Sequence, residues 1–209
     1  MKRLVTALLI FAAAPAFAAE RTFDFTRPAE GIVGIVLQAG VGEAEVIGDG
    51  GTDITARVEV TSKRSSFFSS RSSREIDALS LGSEVRGNTL VLRLSPEENV
   101  GRVFVESWTI HVPSRFTTEV KLGVGDVRLL DITGDLTVSA GVGDIRIESS
   151  YAMFGSIQAS CGVGDATLRT PEGRDEGEGF IAHELHGQGP GSSTIHVSAG
   201  VGDVTIRLR

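Results

Sequence analysis

The sequence predicts an all-β, single-domain protein that stacks parallel rungs as a β-helix or β-solenoid does. Three observations predict this fold class. A Gly-Val-Gly-Asp or Gly-Val-Gly-Glu motif recurs five times, apolar residues alternate on both sides of each copy, and their parity changes at the motif. An antiparallel β-sandwich with similar turns is the alternative.

The first 18 residues have the pattern of a secretory signal peptide. Lys2 and Arg3 precede an apolar run over residues 4–14, and Ala16 to Ala18 form an A-x-A cleavage pattern. The run is shorter than the ~20 residues that a membrane-spanning helix needs. We therefore expect a mature domain over residues 19–209 that is exported, with the periplasm as the expected compartment and the cell surface or the medium as alternatives.

Charge and cysteine content exclude some classes of partner. Loss of Lys2 and Arg3 takes the formal net charge from −7 to −9, which argues against nucleic acid as a partner. No second long apolar run follows, so the mature chain is expected to lack a transmembrane segment. Cys161 is the only cysteine, and its place in an apolar column predicts a buried, inert thiol.

Each motif copy predicts two strands joined at a turn, a unit that we call a rung. In the third copy the apolar residues are Leu136, Val138, Ala140 and Val142 before the parity change, and Ile145 and Ile147 after it. A straight strand would send the second set to the opposite face. Gly143 and Asp144 suit the backbone of a tight turn or bulge, so both strands, and the motif valine, are predicted to face inward.

The rungs recur at the period of a solenoid. They cover residues 39–46, 122–129, 140–147, 161–168 and 199–206. From Gly123 onward, the first glycines of the motifs are 18, 21 and 38 residues apart, which fits one, one and two coils. The last copy is then expected to form the final rung.

The first half of the chain is less regular. It predicts a strand over residues 54–60, a strand beginning near Leu79, a hairpin over 85–94, and a strand over 103–112 that stops at Pro113. Trp108 shares its parity with Ile110 and Val112, which predicts packing in the core or at its end. Two loops are expected, at about residues 62–75 and 171–193.

Residues 109–129 and the glycine-aspartate coils that follow carry a family resemblance. They read TIHVPSRFTTEVKLGVGDVRL, and the similarity is densest over residues 103–209. The chain resembles the bacterial candidate-adhesin family of unknown function, a domain class also fused to some envelope-stress proteins. The resemblance implies a β-solenoid, export and no assigned catalysis.

Five acidic residues share one position of the motif: Glu43, Asp126, Asp144, Asp165 and Asp203. Stacked rungs would align them ~4.8 Å apart, at a cost of about 1 kcal/mol per adjacent pair in water. One hydrogen bond to a turn amide returns about 0.5–1.5 kcal/mol, so turn capping accounts for the column. A calcium ladder along it is the alternative, although Ca²⁺ takes six to eight oxygens and known calcium repeats have nine-residue spacing.

Residues 62–74, SKRSSFFSSRSSR, form a basic segment in an acidic protein. A surface loop is one interpretation. The other is a contact for an anionic envelope polymer or lipid, made by Lys63, Arg64, Phe67, Phe68, Arg71 and Arg74.

The sequence contains no set of residues that predicts catalysis, a metal site or a cofactor. His183 and His186 do not complete a zinc site, and neither a G-x-S-x-G elbow nor a phosphate-binding loop is present. The leading hypothesis is a non-enzymatic, exported binding or scaffolding module that takes an unknown envelope protein or polysaccharide. A cell-surface adhesin is second, and a carbohydrate-active β-helix enzyme that uses clustered carboxylates is third.

The chain ends soon after its last predicted strand. Residues 204–208 are followed only by Arg209, which predicts an open sheet edge. Such an edge pairs readily with a second copy or a partner strand, whereas basic side chains or a covering loop would protect it.

Overall fold

The computed structural model describes residues 20–62, 76–96, 104–176 and 183–209. This part of the chain forms one all-β sheet that is not closed on itself, which confirms the all-β prediction. The strands are β1 (Glu20–Pro28), β2 (Gly34–Asp49), β3 (Asp53–Ser62), β4 (Leu79–Arg86), β5 (Thr89–Pro96), β6 (Phe104–Pro113), β7 (Thr117–Leu130), β8 (Leu136–Val142), β9 (Ile145–Ser149), β10 (Phe154–Val163), β11 (Ala166–Thr170), β12 (Gly173–Glu176), β13 (His183–Gln188), β14 (Ser193–Val201) and β15 (Val204–Leu208). A 3₁₀ turn over Tyr151–Met153 joins β9 to β10.

The motifs bend the sheet into two layers. Strands β2 and β7 run through the bend, whereas β8 and β9, β10 and β11, and β14 and β15 are pairs that meet at it. The first layer runs β4, β5, β2, β7, β8, β14, β10, β13. The second layer runs β1, β3, β6, β2, β7, β9, β15, β11, β12. The five rungs pair in parallel. At one end, β5 and β6 also pair with β2 in parallel, and antiparallel strands follow them; at the other end, β13 and β12 are antiparallel to β10 and β11.

The rungs do not stack in chain order. Strand β14 pairs in parallel with β8 on one side and β10 on the other, and β15 does the same with β9 and β11. The rung at residues 199–206 therefore lies between those at 140–147 and 161–168. In chain order, the outer rung at residues 161–168 comes first and β12 and β13 follow it. The rung at 199–206 then lies between the outer rung and the rung at 140–147, which accounts for the 38-residue interval.

This order corrects the prediction of an open C-terminal edge. Residues 204–208 form β15, which has a parallel neighbour on each side, so this strand offers no free edge for the self-association that the sequence predicted there. Among the described residues the edges belong to β1, β4, β12 and β13. The last described strand in chain order is therefore an inner strand of the sheet, which order along the chain does not show.

Inward residues from both layers share one hydrophobic core. Leu136, Val138 and Ala140 before the bend, and Ile145 and Ile147 after it, are at most 5% exposed. The parity change is thus confirmed as the signature of two inward-facing strands. Each fully buried aliphatic side chain contributes about 1.5–3 kcal/mol before entropy is counted.

The motif valines are the exception, because they point outward. Val124, Val142, Val163 and Val201 are 45–60% exposed, although alternation predicted them to face inward. At this residue the backbone leaves the first layer to enter the second, so the period-two rule no longer directs the side chain into the core.

Other local predictions have mixed outcomes. The hairpin is confirmed as β4 and β5, with Gly87 in the turn at φ 62°. The predicted loop over 171–193 was wrong in part, because it contains β12, which pairs antiparallel with β11, and β13, which pairs antiparallel with β10. Of the loop predicted at 62–75, residues 63–75 lie outside the described part of the chain, as does the signal segment.

Candidate functional site

Each bend depends on the second glycine of its motif. The φ angles are 142° at Gly42, 127° at Gly125, 133° at Gly143, 131° at Gly164 and 133° at Gly202. A Cβ on Gly143 would also lie 2.0 Å from the carbonyl oxygen of Gly125 in the neighbouring rung. The predicted turn is therefore confirmed at the glycine, which meets both a conformational and a steric requirement.

The aspartate after this glycine holds adjacent rungs together. The Asp144 amide donates to Oδ1 of Asp126 at 2.9 Å, the Asp203 amide to Oδ1 of Asp144 at 2.8 Å, and the Asp165 amide to Oδ1 of Asp203 at 2.9 Å. Each carboxylate thus accepts a hydrogen bond from the next aspartate in the stack. These bonds offset the repulsion between aligned charges, and the capped amide belongs to the neighbouring rung.

The carboxylates of this ladder already have a structural role. Asp126, Asp144 and Asp203 each use one oxygen for an amide. Within the described ranges, no three His, Cys, Asp or Glu side chains are grouped so that they could hold a metal ion. The calcium alternative, which includes Asp165, stays a hypothesis for direct titration.

Strand β6 covers one end of the column of bends. The Trp108 indole donates to Oε2 of Glu106 at 2.7 Å, and the Gly40 amide donates to Oε1 at 3.4 Å. Burial raises the pKa of Glu106, and the two hydrogen bonds oppose that rise. Trp108 is 1% exposed, which confirms its predicted core position. Sequence reasoning missed Glu106, because a single glutamate carries no pattern.

A groove of about 320 Å³ runs beside the aspartate ladder on the outer face of the second layer. Its charged lining residues are Glu43, Glu45, Asp126, Arg128, Asp144 and Arg146. Glycoside cleavage needs one carboxyl group that carries a proton and a second carboxylate across the bond. Asp126 and Asp144 accept amide hydrogen bonds, and Glu106, whose pKa is raised, does not line the groove. The carboxylates that line the groove and the carboxyl group with the raised pKa are therefore different residues at different sites.

A second groove, of about 290 Å³, lies on the outer face of the first layer. Two rows of polar side chains cross four adjacent strands there, and we call this surface the hydroxyl face. One row is Thr137, His196, Gln158 and His186, and the other is Ser139, Ser198, Ser160 and Glu184. Three strand spacings make each row about 14 Å long. The positions on β8, β10 and β14 could be predicted from the sequence as outward positions of strands, but those on β13 fall in the segment predicted as a loop, and only the register joins the four strands.

The other predicted positions divide between core, surface and undescribed residues. Cys161 is buried as predicted, its Sγ donates to the Gly202 carbonyl at 2.7 Å, and burial raises the pKa of its thiol. His186 lies exposed on the hydroxyl face, 3.9 Å from Glu184, and His183 begins β13. The six residues predicted as a surface contact lie outside the described ranges: Lys63, Arg64, Phe67, Phe68, Arg71 and Arg74.

Comparison with known proteins shows likeness in fold. No family model and no curated protein matches the chain. A candidate cell adhesion protein from Clostridium sporogenes matches with 19% identity and a TM-score of 0.51, over 91% of this chain and 100% of that one. A candidate adhesin from Bacteroides fragilis matches with 10% identity and a TM-score of 0.26 over 90% and 97%, and a candidate lipid-binding protein from Parabacteroides distasonis with 8% and 0.27 over 91% and 97%.

The Clostridium structure is similar to this chain in fold, which fits the resemblance found in the sequence. Membership of the candidate-adhesin family stays a prediction, since no family model matches. Among the described residues, no helix combines the length and apolar character needed to cross a membrane.

Proposed function

We propose that the chain is an exported, non-enzymatic binding or scaffolding module of the cell envelope, a solenoid-like stack that holds a neutral polysaccharide on its hydroxyl face. One observation carries this proposal. The two polar rows of that face are fixed in register by parallel pairing of β8, β14 and β10, so the groups of the binding surface are positioned before a ligand arrives.

The chemistry of the rows suits a hydroxylated ligand. Serine and threonine hydroxyls and the Gln158 amide each offer both donors and acceptors, as sugar hydroxyls do, and two imidazoles add further polar groups. Among the described residues, Glu184 is the only carboxylate that lines the groove, in a protein of net charge −7. A row about 14 Å long with constant spacing fits an extended polymer better than one small molecule.

The two alternatives predict different results. An adhesin role, suggested by the name of the Clostridium neighbour, requires the protein to be exposed at the cell surface. An enzyme role requires a protonated carboxyl group facing a carboxylate in a groove. The periplasm is the compartment that we propose, and protease accessibility, described below, separates it from the surface.

The test measures binding of the purified chain to immobilised neutral envelope polysaccharides by biolayer interferometry. Ser198→Glu places a charge at the centre of the hydroxyl face and should abolish most binding. Ser107→Glu makes the same change at an exposed site on the second layer and should leave binding intact. Absence of binding by the unmodified chain, or equal loss in both variants, would contradict the proposal.

A further inference from the structure

Three arginines stand side by side on the outer face of the second layer. Arg207 of β15 is directly opposite Arg169 of β11, and Arg169 is directly opposite Arg174 of β12. Directly opposed residues project from the same side of a sheet, with backbones about 4.8 Å apart. We call this set the arginine row.

The fold gives Arg207 and Arg174 interactions of their own, but it does not account for Arg169, the middle arginine of the row. Like charges directly opposite one another destabilise a sheet. Arg207 contacts Glu148 at 3.6 Å, but Glu148 also contacts Arg209, at 2.7 Å. Arg169 is exposed, and the described part of the chain gives it no ion-pair partner.

A second observation, at Arg207, indicates that the arginine row lowers the stability of the fold. Its Nε is buried without a hydrogen-bond acceptor, the only side-chain nitrogen or oxygen atom in this condition among the described residues. An unpaired buried donor lowers the stability of the fold. Arg207 therefore forms an ion pair with Glu148 but leaves one buried donor, its Nε, without a partner.

We propose that the arginine row binds a single strand of an acidic polysaccharide that carries carboxylates along its length. The planar guanidinium group matches a carboxylate with two parallel hydrogen bonds, and adjacent arginines repeat that group along the row. Thr205 and Thr167, opposite each other and two residues before Arg207 and Arg169, add hydroxyls along the same side. This inference does not rest on the hydroxyl face, which belongs to the other layer.

The surrounding charge favours a thin polymer over a membrane. Asp203 and Asp165 lie in the bends directly before β15 and β11, four residues before Arg207 and Arg169, and so at most about 14 Å from them along the chain. A flat anionic bilayer would cover the aspartates together with the arginines and be repelled by them. A single acidic strand can follow the arginine row alone.

The test uses polygalacturonate as the probe and its neutral methyl ester as the matched polymer, measured by isothermal titration calorimetry at low salt. The unmodified chain should bind polygalacturonate and not the ester. Arg169→Gln should weaken binding about tenfold, the effect of losing one charge-assisted hydrogen bond. The control is Arg57→Gln, an equal change of charge at an arginine of the same layer that is paired with Asp24 and Glu59, and it should bind as the unmodified chain does.

Thermal unfolding of the same variants supplies a second readout. Because Arg169 is repelled by its neighbours, Arg169→Gln should raise the unfolding midpoint by about 1–4 °C while it weakens binding. A lowered midpoint would overturn the argument from uncompensated charge. Equal weakening by Arg57→Gln, absence of binding, or tighter binding to single-stranded DNA or anionic vesicles would overturn the assignment to an acidic polysaccharide.

Discussion

Alanine at Gly143 should destabilise the protein severely, because the second glycine of the motif meets two demands at once. Its φ of 133° is one that residues with a Cβ rarely adopt. The added Cβ would also lie 2.0 Å from the Gly125 oxygen, where Cβ atoms keep at least 3.0 Å, so the two rungs would have to separate by about 1 Å.

The expected loss follows from these two terms. Holding a non-glycine residue in a disfavoured backbone region costs about 1–3 kcal/mol. Separation of these two rungs strains two hydrogen bonds between them, from the Val127 amide to the Asp144 carbonyl at 2.9 Å and from the Asp144 amide to Asp126 at 2.9 Å, each worth about 0.5–1.5 kcal/mol. Together the terms predict a loss of about 2–6 kcal/mol in the free energy of unfolding, against a usual total of about 5–15 kcal/mol.

Two glycine variants separate the terms in urea denaturation. Gly87→Ala has a positive φ of 62° and open space around the new Cβ, so it should lose only about 1–2 kcal/mol. Gly50→Ala has neither problem and should change stability little. If Gly143→Ala costs no more than Gly87→Ala, the close approach of the rungs does not govern the bend and the reasoning is refuted.

Three further predictions concern the ladder, Glu106 and the compartment. Asp144→Asn keeps an acceptor for the Asp203 amide, so the urea midpoint and the response to Ca²⁺ or a chelator should not change. Asp144→Ala removes that acceptor and should lower the free energy of unfolding by about 1 kcal/mol. Equal losses in the two variants would show that the charge of Asp144 matters, as the calcium alternative requires. Because the pKa of Glu106 is raised above its ordinary 4.5 in the fold, its contribution to stability is full below that value and is lost as pH rises through the folded pKa. The free energy of unfolding of Glu106→Gln, relative to that of the unmodified protein, should therefore be higher at neutral pH than near pH 4.5. If this relative stability does not change between the two pH values, the raised pKa of Glu106 is contradicted. Trypsin added to intact cells should leave the protein uncut until lysis, since the basic segment at residues 62–74 is cleavable only where protease reaches it; cleavage on intact cells would favour the adhesin alternative.

The bend could be predicted from sequence because its causes are local. The parity change between Ala140 and Ile145 requires a turn, and the glycine between them supplies the backbone freedom. Alternation also predicts that Val142 faces inward, which is wrong, because alternation does not show where the chain leaves one layer for the other. The acidic column predicted turn capping, but the amide it caps lies in a neighbouring rung.

Features that depend on register could not be derived from the chain alone. The interval of 38 residues before Gly200 fits an outer rung and an inserted one equally well. Arg169 and Arg207 are far apart in sequence, and only the pairing of β11 with β15 makes them neighbours. The hydroxyl face depends on the same inserted rung, since His196 and Ser198 form its centre.

The inserted rung also has a consequence for assembly. Before β14 and β15 arrive, β8 and β10 face each other across a gap with unpaired backbone edges, as do β9 and β11. The residues that fill this gap follow β8, β9, β10 and β11 in the chain, so they are synthesised after the strands that they join. A chain that has been synthesised only as far as β13 is therefore open at its centre, and the centre closes only when β14 and β15 pair with the strands on both sides.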